Sequence, residues 1–174
     1  MRDLKADLKR KQQIFAEDGA NVSMLRICMA DGTSANVLYR CMRWCATHRL
    51  GLLAYFFQWA NKFLNGCVIG SGANFAPGFV IMHPVGIIIN SKVVGGNNIT
   101  LESGVVIGDE KGQSPILSNN IFVGAGAKII GALTVADDVK IGANAVLTKN
   151  AEKGATMLGI PAKAYVRKDD GVNN

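Results

Sequence analysis

A six-residue period dominates the chain after residue 66. Stepping by six from Ile69 reaches fourteen positions, of which thirteen are aliphatic or aromatic: Ile69, Phe75, Ile81, Ile87, Val93, Ile99, Val105, Lys111, Leu117, Val123, Ile129, Val135, Ile141 and Leu147. This period matches neither the 3.6 residues of an amphipathic helix nor the two-residue alternation of a strand. It is typical of a parallel β-helix built from hexapeptide repeats, in which each hexad supplies a short strand and a corner. Three hexads complete a coil, so fourteen predict four to five stacked coils.

A second inward position is expected four residues after each member of the period. These positions are mostly small or apolar: Ala73, Phe79, Val85, Ser91, Ser103, Ile121, Ala127, Leu133, Val139 and Ala145. The one polar member of the period, Lys111, lies in the polar stretch from Gly108 to Pro115. That stretch is predicted to leave the coil as a loop, and loops on a rigid scaffold often carry function.

The residues before Gly66 show a helical pattern instead. A charged amphipathic helix is predicted over Asp3–Phe15, a second helix begins with Ser34 as its N-cap, and a third covers Leu52–Leu64. Five basic side chains fall within Met1–Gln12 and are predicted to lie on a solvated helix face. The sequence therefore predicts a helical region over residues 1–66, a β-helix domain over 67–152 and a C-terminal extension over 153–174.

Composition narrows the class of protein. The net charge of +6 is not accompanied by aromatic interleaving or a recognisable nucleic-acid module, so no nucleic-acid partner is expected. The first eleven residues lack the apolar core of a signal peptide, and the longest apolar run, Leu50–Phe57, is too short to span a bilayer. We therefore expect a cytoplasmic protein without a transmembrane segment.

His83 is one of only two histidines and lies within the largely apolar stretch GFVIMHPVGIIINSKVVGG. Its place in the hexad is a corner, and Pro84 restricts its backbone to extended conformations. A satisfied structural histidine is one interpretation. The other is catalytic, because a neutral imidazole titrates near the working pH and can take a proton from a hydroxyl group.

The repeats and four further motifs resemble the hexapeptide-repeat acyltransferases, specifically the serine acetyltransferase family. Ala35–Arg40 followed by Trp44 is similar to the family's Tyr-Arg helix, and Gly78–Asn90 to its histidine coil. Val123–Lys128 is similar to its acyl-CoA-binding coil, and Gly-Ile-Pro-Ala-Lys at Gly159–Lys163 is similar to the motif that follows the family's repeats. The resemblance implies a mainly β protein: a left-handed parallel β-helix preceded by a short α-helical region.

The resemblance also implies an activity and a site. The protein is expected to be an O-acetyltransferase that uses acetyl-CoA, needs no metal, and has His83 as its general base. Expected cofactor-binding residues are Gly124, Ala125, Gly142, Ala143 and Lys163. Expected substrate-binding residues are Asp109 and Ser114, in the loop 108–115. The family's symmetry implies a homotrimer with each active site between two subunits.

Three departures from the cysteine-biosynthesis members bear on the acceptor. This chain has Val68 where they carry the aspartate that partners the histidine, Met82 where they carry an acidic residue, and Ser114 where they carry a second histidine. We therefore expect the branch that O-acetylates sugars of exopolysaccharides such as colanic acid, with L-serine as the alternative acceptor. The acidic partner of His83 stays open among Glu102, Asp109 and Glu110, or a backbone carbonyl.

Two other classes share this kind of scaffold. The γ-class carbonic anhydrases need three histidines to hold zinc. This chain has two, and His48 falls in the helical region, which argues against that class. A non-catalytic β-helix, structural or ligand-binding, is the remaining alternative, and release of free thiol from acetyl-CoA would exclude it.

Overall fold

The computed structural model describes residues 2–165, in which four helices precede fifteen strands of two or three residues. The helices are α1 (Arg2–Glu17), α2 (Met24–Met29), α3 (Thr33–Thr47) and α4 (Gly51–Asn65). The strands are β1 (Val68–Ile69), β2 (Asn74–Phe75), β3 (Val80–Ile81), β4 (Ile88–Ile89), β5 (Val94–Gly95), β6 (Thr100–Leu101), β7 (Val106–Gly108), β8 (Ile116–Leu117), β9 (Phe122–Val123), β10 (Lys128–Ile130), β11 (Thr134–Val135), β12 (Lys140–Ile141), β13 (Val146–Leu147), β14 (Thr156–Leu158) and β15 (Lys163–Ala164).

The strands wind into a parallel β-helix of about four coils. Sheet A has the order β1-β4-β7-β10-β13, sheet B the order β11-β8-β5-β2, and sheet C the order β15-β14-β12-β9-β6-β3. Strands three apart along the chain pair in parallel, so each coil contributes one strand to each sheet. β15 pairs antiparallel with β14 at one end of sheet C. The predicted fold class, a mainly β helix preceded by a short helical region, is confirmed.

The core is the column of side chains inside the coils. All thirteen apolar members of the six-residue period are buried, and Lys111 is exposed. The prediction for the second inward position is wrong at three places, because Val85 and Ser91 are exposed and Ser103 is half-buried. From strand β4 to strand β7, the second buried position of each hexad is instead occupied by Ile89, Gly95, Leu101 and Ile107.

The length of each coil explains that error. In sheet A, Val68 pairs with Ile88, Ile88 with Val106, Val106 with Lys128, and Lys128 with Val146, which are spacings of 20, 18, 22 and 18 residues. Eighteen residues are three hexads. Two additional residues enter between β3 and β4 and four more between β7 and β8, so the repeat loses its phase at the first insertion and recovers it after the second.

Side chains of the helical region satisfy the open edge of the first coil. The Tyr39 hydroxyl accepts a hydrogen bond from the Phe75 N–H at 3.0 Å. The Asn36 side chain donates to the Phe79 carbonyl at 2.8 Å and accepts from the Ile81 N–H at 2.9 Å. An exposed strand edge would otherwise leave these groups unpaired or open to another chain. The helices therefore close the β-helix at this end.

Helix α1 is part of this closure, so the prediction of a solvated basic face is wrong for Lys11, whereas Arg2, Lys5 and Lys9 are exposed as predicted. Asp7 and Lys11 are buried, and both contact the first coil. At the other end, β14 pairs in parallel with β12, so sheet C continues beyond the predicted boundary at residue 152.

Candidate active site

His83 lies at the corner between sheets C and A, within the two-residue insertion that follows β3. Neighbouring corners stack directly on one another, as the Gly104 N–H donates to the Val85 carbonyl and the Gly126 N–H to the Ser103 carbonyl. The additional residues at the first corner project from this stack, and 58% of the His83 side chain is exposed. The insertion thus presents the imidazole outside the coil.

The ring of His83 is held by Asp31, a residue that the sequence analysis did not find. Asp31 lies between α2 and α3, and its Oδ2 is 2.8 Å from Nδ1 of His83. Among residues 2–165, none of the three acidic residues suggested from the sequence hydrogen-bonds to His83. An ionised carboxylate only accepts hydrogen bonds, so in a neutral ring this contact requires the proton on Nδ1 and leaves the lone pair on Nε2.

Gly32 allows the loop that carries Asp31 to lie against the strand before His83. Its φ is +74°, and an added Cβ would lie 2.2 Å from the carbonyl oxygen of Ile81 and 2.8 Å from that of Met82. Only glycine fits this conformation and this contact. Helix α3 begins directly afterwards at Thr33 with Gly32 as its N-cap, so the predicted N-cap, Ser34, is wrong. A glycine just before a helix was the available sequence signal for this loop.

Lys11 of α1 lies behind the His83–Asp31 pair and is only 2% exposed. Its Nζ donates to the backbone carbonyl of Asp31 and, at 2.9 Å, to that of Ile81. Burial lowers the pKa of Lys11 to about 8, and the nearby carboxylates of Asp31 and Glu102 oppose that shift. A buried ammonium therefore joins the two backbone segments that carry the pair.

The loop 108–115 lies at a different corner, between sheets A and B. Glu110 and Gln113 pair across a tight turn in which Lys111 and Gly112 both have positive φ. The Ser114 hydroxyl donates to the Asn90 side-chain oxygen at 3.3 Å. Within one chain the structure therefore does not bring the expected substrate-binding residues, Asp109 and Ser114, together with His83.

Four of the five expected cofactor residues lie in the same stack of corners as His83, between sheets C and A. Gly124 and Ala125 follow β9, and Gly142 and Ala143 follow β12, in the same sheet as β3. With about 4.8 Å between strands, these corners lie about 10 and 14 Å along the stack from His83. The two alanines are exposed, whereas an added Cβ on Gly124 would lie 2.7 Å from the Ala143 nitrogen. That glycine is therefore explained by the stacking of the coils alone.

Lys163 extends the same edge of sheet C. It pairs with Leu158 across the antiparallel β14–β15 contact, and its side chain is exposed. Since β14 follows β12 in the sheet, Lys163 lies beyond the alanine corners on the side away from His83. A cation at this place can reach a ligand that lies along the stacked corners.

An open groove of about 550 Å³ runs between α1 and the outer face of sheet C. It contains side chains of both charges and adjoins the corner of His83 through Met82 and Glu102. Its lining consists of Arg10, Ile14, Glu17, Asp18, Met82, Asn98, Thr100, Glu102, Asn120, Ile121, Phe122 and Lys140.

Residues 2–165 hold no group of three or more histidine, cysteine, aspartate or glutamate side chains placed to bind a metal ion. Over the same residues, no helix combines the length and apolar character needed to cross a bilayer.

Comparison with known proteins gives consistent results. No protein-family model matches the chain. It is 34% identical over 172 residues to the serine acetyltransferase of Helicobacter pylori (strain ATCC 700392 / 26695), a match that covers 96% of this chain and 99% of the relative. It is 31% identical over 159 residues to the serine acetyltransferase of Synechococcus elongatus, covering 88% of this chain but only 65% of that longer relative.

Solved structures show the same architecture. The serine acetyltransferase of Neisseria gonorrhoeae in complex with serine superposes with a TM-score of 0.84 and 28% identity, covering 93% of this chain and 67% of that one. A serine acetyltransferase in complex with CoA superposes with a TM-score of 0.85 and 25% identity, covering 94% and 68%.

These findings correct the predicted acceptor. The relatives and structural neighbours are named serine acetyltransferases, so the assignment to the exopolysaccharide branch, with a sugar as acceptor, is wrong. The residues at Val68, Met82 and Ser114 are differences that do not mark a sugar enzyme. With a match that extends over nearly the whole of a relative of the same size, the chain belongs to the serine acetyltransferase family.

Proposed function

We propose that the protein transfers the acetyl group of acetyl-CoA to the side-chain hydroxyl of L-serine. One observation carries the chemistry: the ring of His83 is exposed at a corner, held at Nδ1, with Nε2 available as a base. The acceptor and donor are supported by the family and by the serine and CoA complexes of related structures.

The mechanism needs a single base. Nε2 of His83 takes the proton of the serine hydroxyl as its oxygen attacks the thioester carbonyl. The tetrahedral intermediate collapses with cleavage of the carbon–sulfur bond, and the sulfur leaves as the CoA thiolate. The imidazolium then returns its proton to that sulfur, which gives O-acetyl-L-serine, CoA and a neutral histidine.

The corner stack is the proposed binding surface for acetyl-CoA. Ala125 and Ala143 present small exposed side chains along it, and Lys163 supplies a cation for a phosphate group at its far end. In this arrangement the reacting thioester lies near His83, and the phosphates lie at the end of the stack near Lys163.

Recognition of L-serine needs both signs of charge. Met82 and Ser114 supply none where other family members have charged or titratable groups, as the sequence analysis noted. The groove beside His83 contains Glu102, which can pair with an ammonium group, and Arg10, which can pair with a carboxylate although its Nη1 also contacts Glu17 at 2.8 Å. A zwitterionic amino acid therefore has partners of both charges in this groove.

The test is an acceptor panel with the purified protein. Free thiol release from acetyl-CoA and the mass of the acetylated product are measured with L-serine, L-alanine and a set of neutral sugars. We expect saturable release with L-serine and none with L-alanine, which has the same charges but no hydroxyl. Turnover with a sugar but not with L-serine would refute the proposed acceptor.

The complete site is proposed to lie between subunits of a trimer. The loop 108–115 and His83 occupy different corners of one chain, so Asp109 and Ser114 can act at the site only if a neighbour supplies them. We expect light scattering in dilute solution to report about three times the chain mass of 18.5 kDa. A monomer with full activity would contradict both the trimer and the role of the loop.

A further inference from the structure

We propose that Asp31 and Lys11 position His83 for catalysis, so that the N-terminal helices form part of the active site. This inference rests on the proposed function of His83 as the base. It assigns to the helical region a catalytic contribution that is separate from closing the end of the β-helix.

The contact between Asp31 and His83 would contribute little if it were an ordinary surface pair. The two side chains are 61% and 58% exposed, and exposed ion pairs between mobile side chains typically contribute less than about 1 kcal/mol. This pair differs because the two backbone segments that carry Asp31 and His83 are both held by hydrogen bonds from Lys11. Asp31 Oδ1 also accepts the Gly32 N–H at 2.9 Å, which sets the direction of the carboxylate.

The place of Lys11 is the second observation. Burying an ammonium costs free energy unless it is hydrogen-bonded, and Lys11 has two acceptors. Both of its acceptors are backbone carbonyls, one on Asp31 itself and one on Ile81, two residues before His83. One side chain thus ties the segment that carries the carboxylate to the segment that carries the base.

The reaction requires this geometry twice. Before proton transfer, the carboxylate keeps the proton on Nδ1, so that Nε2 has the lone pair that faces the acceptor. After proton transfer, the ring is a cation 2.8 Å from a negative charge. Without Asp31 the ring can rotate and carry its proton on Nε2. That nitrogen then has no lone pair and cannot act as a base.

Kinetics of three variants test the proposal. Asp31→Ala should lower kcat on the order of 10–100-fold, a part of the ~10²–10⁴ that general base catalysis contributes, while KM for both substrates stays within about twofold. Asp31→Asn should lie between, because its amide oxygen still accepts the proton of Nδ1. Ser34→Ala is the matched control, since Ser34 lies three residues away, bonds to Asn65, and should leave kcat unchanged.

A spectroscopic readout separates positioning from folding. The chain has two histidines, so 15N labelling gives two sets of ring signals, and His48→Ala assigns them. We expect His83 with its proton on Nδ1 in the wild-type protein, and a shift of the proton toward Nε2 in Asp31→Ala. Lys11→Met should produce a smaller shift in the same direction while circular dichroism shows that the helices are retained.

The tautomer measurement needs no turnover, so the inference and the proposed function can fail separately. Absence of activity with L-serine would refute the function and leave the ring signals as the test of Asp31. Conversely, a kcat of Asp31→Ala within twofold of wild type, or ring signals that do not change, would overturn the inference even if L-serine is the acceptor.

Discussion

Replacing His83 by alanine is expected to lower the turnover of acetyl-CoA with L-serine by at least about a hundredfold, within the ~10²–10⁴ that a positioned base contributes. The variant removes the imidazole that is proposed to take the acceptor proton, and leaves its partner Asp31 in place. CoA affinity should change little, because the proposed cofactor surface lies on other coils. Free thiol release measures the turnover, and calorimetry with CoA measures the binding.

His48→Ala is the matched control for this experiment. It removes the other histidine of the chain, an exposed residue at the end of α3 whose ring stacks on Trp44 with 4.3 Å between centroids. It should keep wild-type turnover. If His83→Ala kept more than about a tenth of the wild-type activity, or if both variants lost activity equally, His83 would not be the base.

Replacing Asp7 by alanine is expected to lower the free energy of unfolding by about 3–5 kcal/mol, the cost of leaving a buried partner charge uncompensated. Asp7 is 1% exposed and accepts hydrogen bonds from Arg40 Nε at 2.7 Å and Nη2 at 2.9 Å. It also accepts the N–H groups of Gly78 and Phe79 at 2.9 and 3.0 Å. The variant would leave a guanidinium and two backbone donors without these acceptors.

Asp3→Ala provides the comparison, since Asp3 belongs to the same helix and contacts the same arginine at 3.7 Å with half of its side chain exposed. Its cost should be below about 1 kcal/mol. Urea unfolding at one fixed protein concentration measures both, because the proposed trimer would make stability concentration-dependent. A cost for Asp7→Ala as small as that for Asp3→Ala would contradict the structural role of the buried pair.

The six-residue period was sufficient to predict the β-helix because every coil places the same local requirements on its sequence. Each strand needs one inward aliphatic side chain and each corner a residue that tolerates a tight turn. The corner ladder Asn98–Asn120–Asp138 shows this, with positive φ at all three residues and side-chain hydrogen bonds of 2.9 and 3.0 Å between them. Such requirements are local, so they are visible in the sequence.

The insertions were harder to place because their lengths compensate. Two additional residues near His83 and four in the loop 108–115 together make one hexad, so the period resumes unchanged at Leu117. Between the insertions, Ile87, Val93, Ile99 and Val105 are buried in either frame, which hid the shift in phase. Only the register of paired strands shows that His83 projects from the coil.

The resemblance of Gly78–Asn90 to the family's histidine coil suggested His83 as a base from the sequence. Its partner could not be found in this way, because Asp31 is 52 residues away in a region of different secondary structure. The same holds for Lys11 and Asp7, which look like members of a charged, solvated helix until α1 is packed against the first coil. The six-residue repeat encodes the β-helix, since each strand and corner depends on residues that are close together in the sequence. The contacts that hold His83 arise where the helices cover the open end of that scaffold, and no local pattern specifies which side chains meet there.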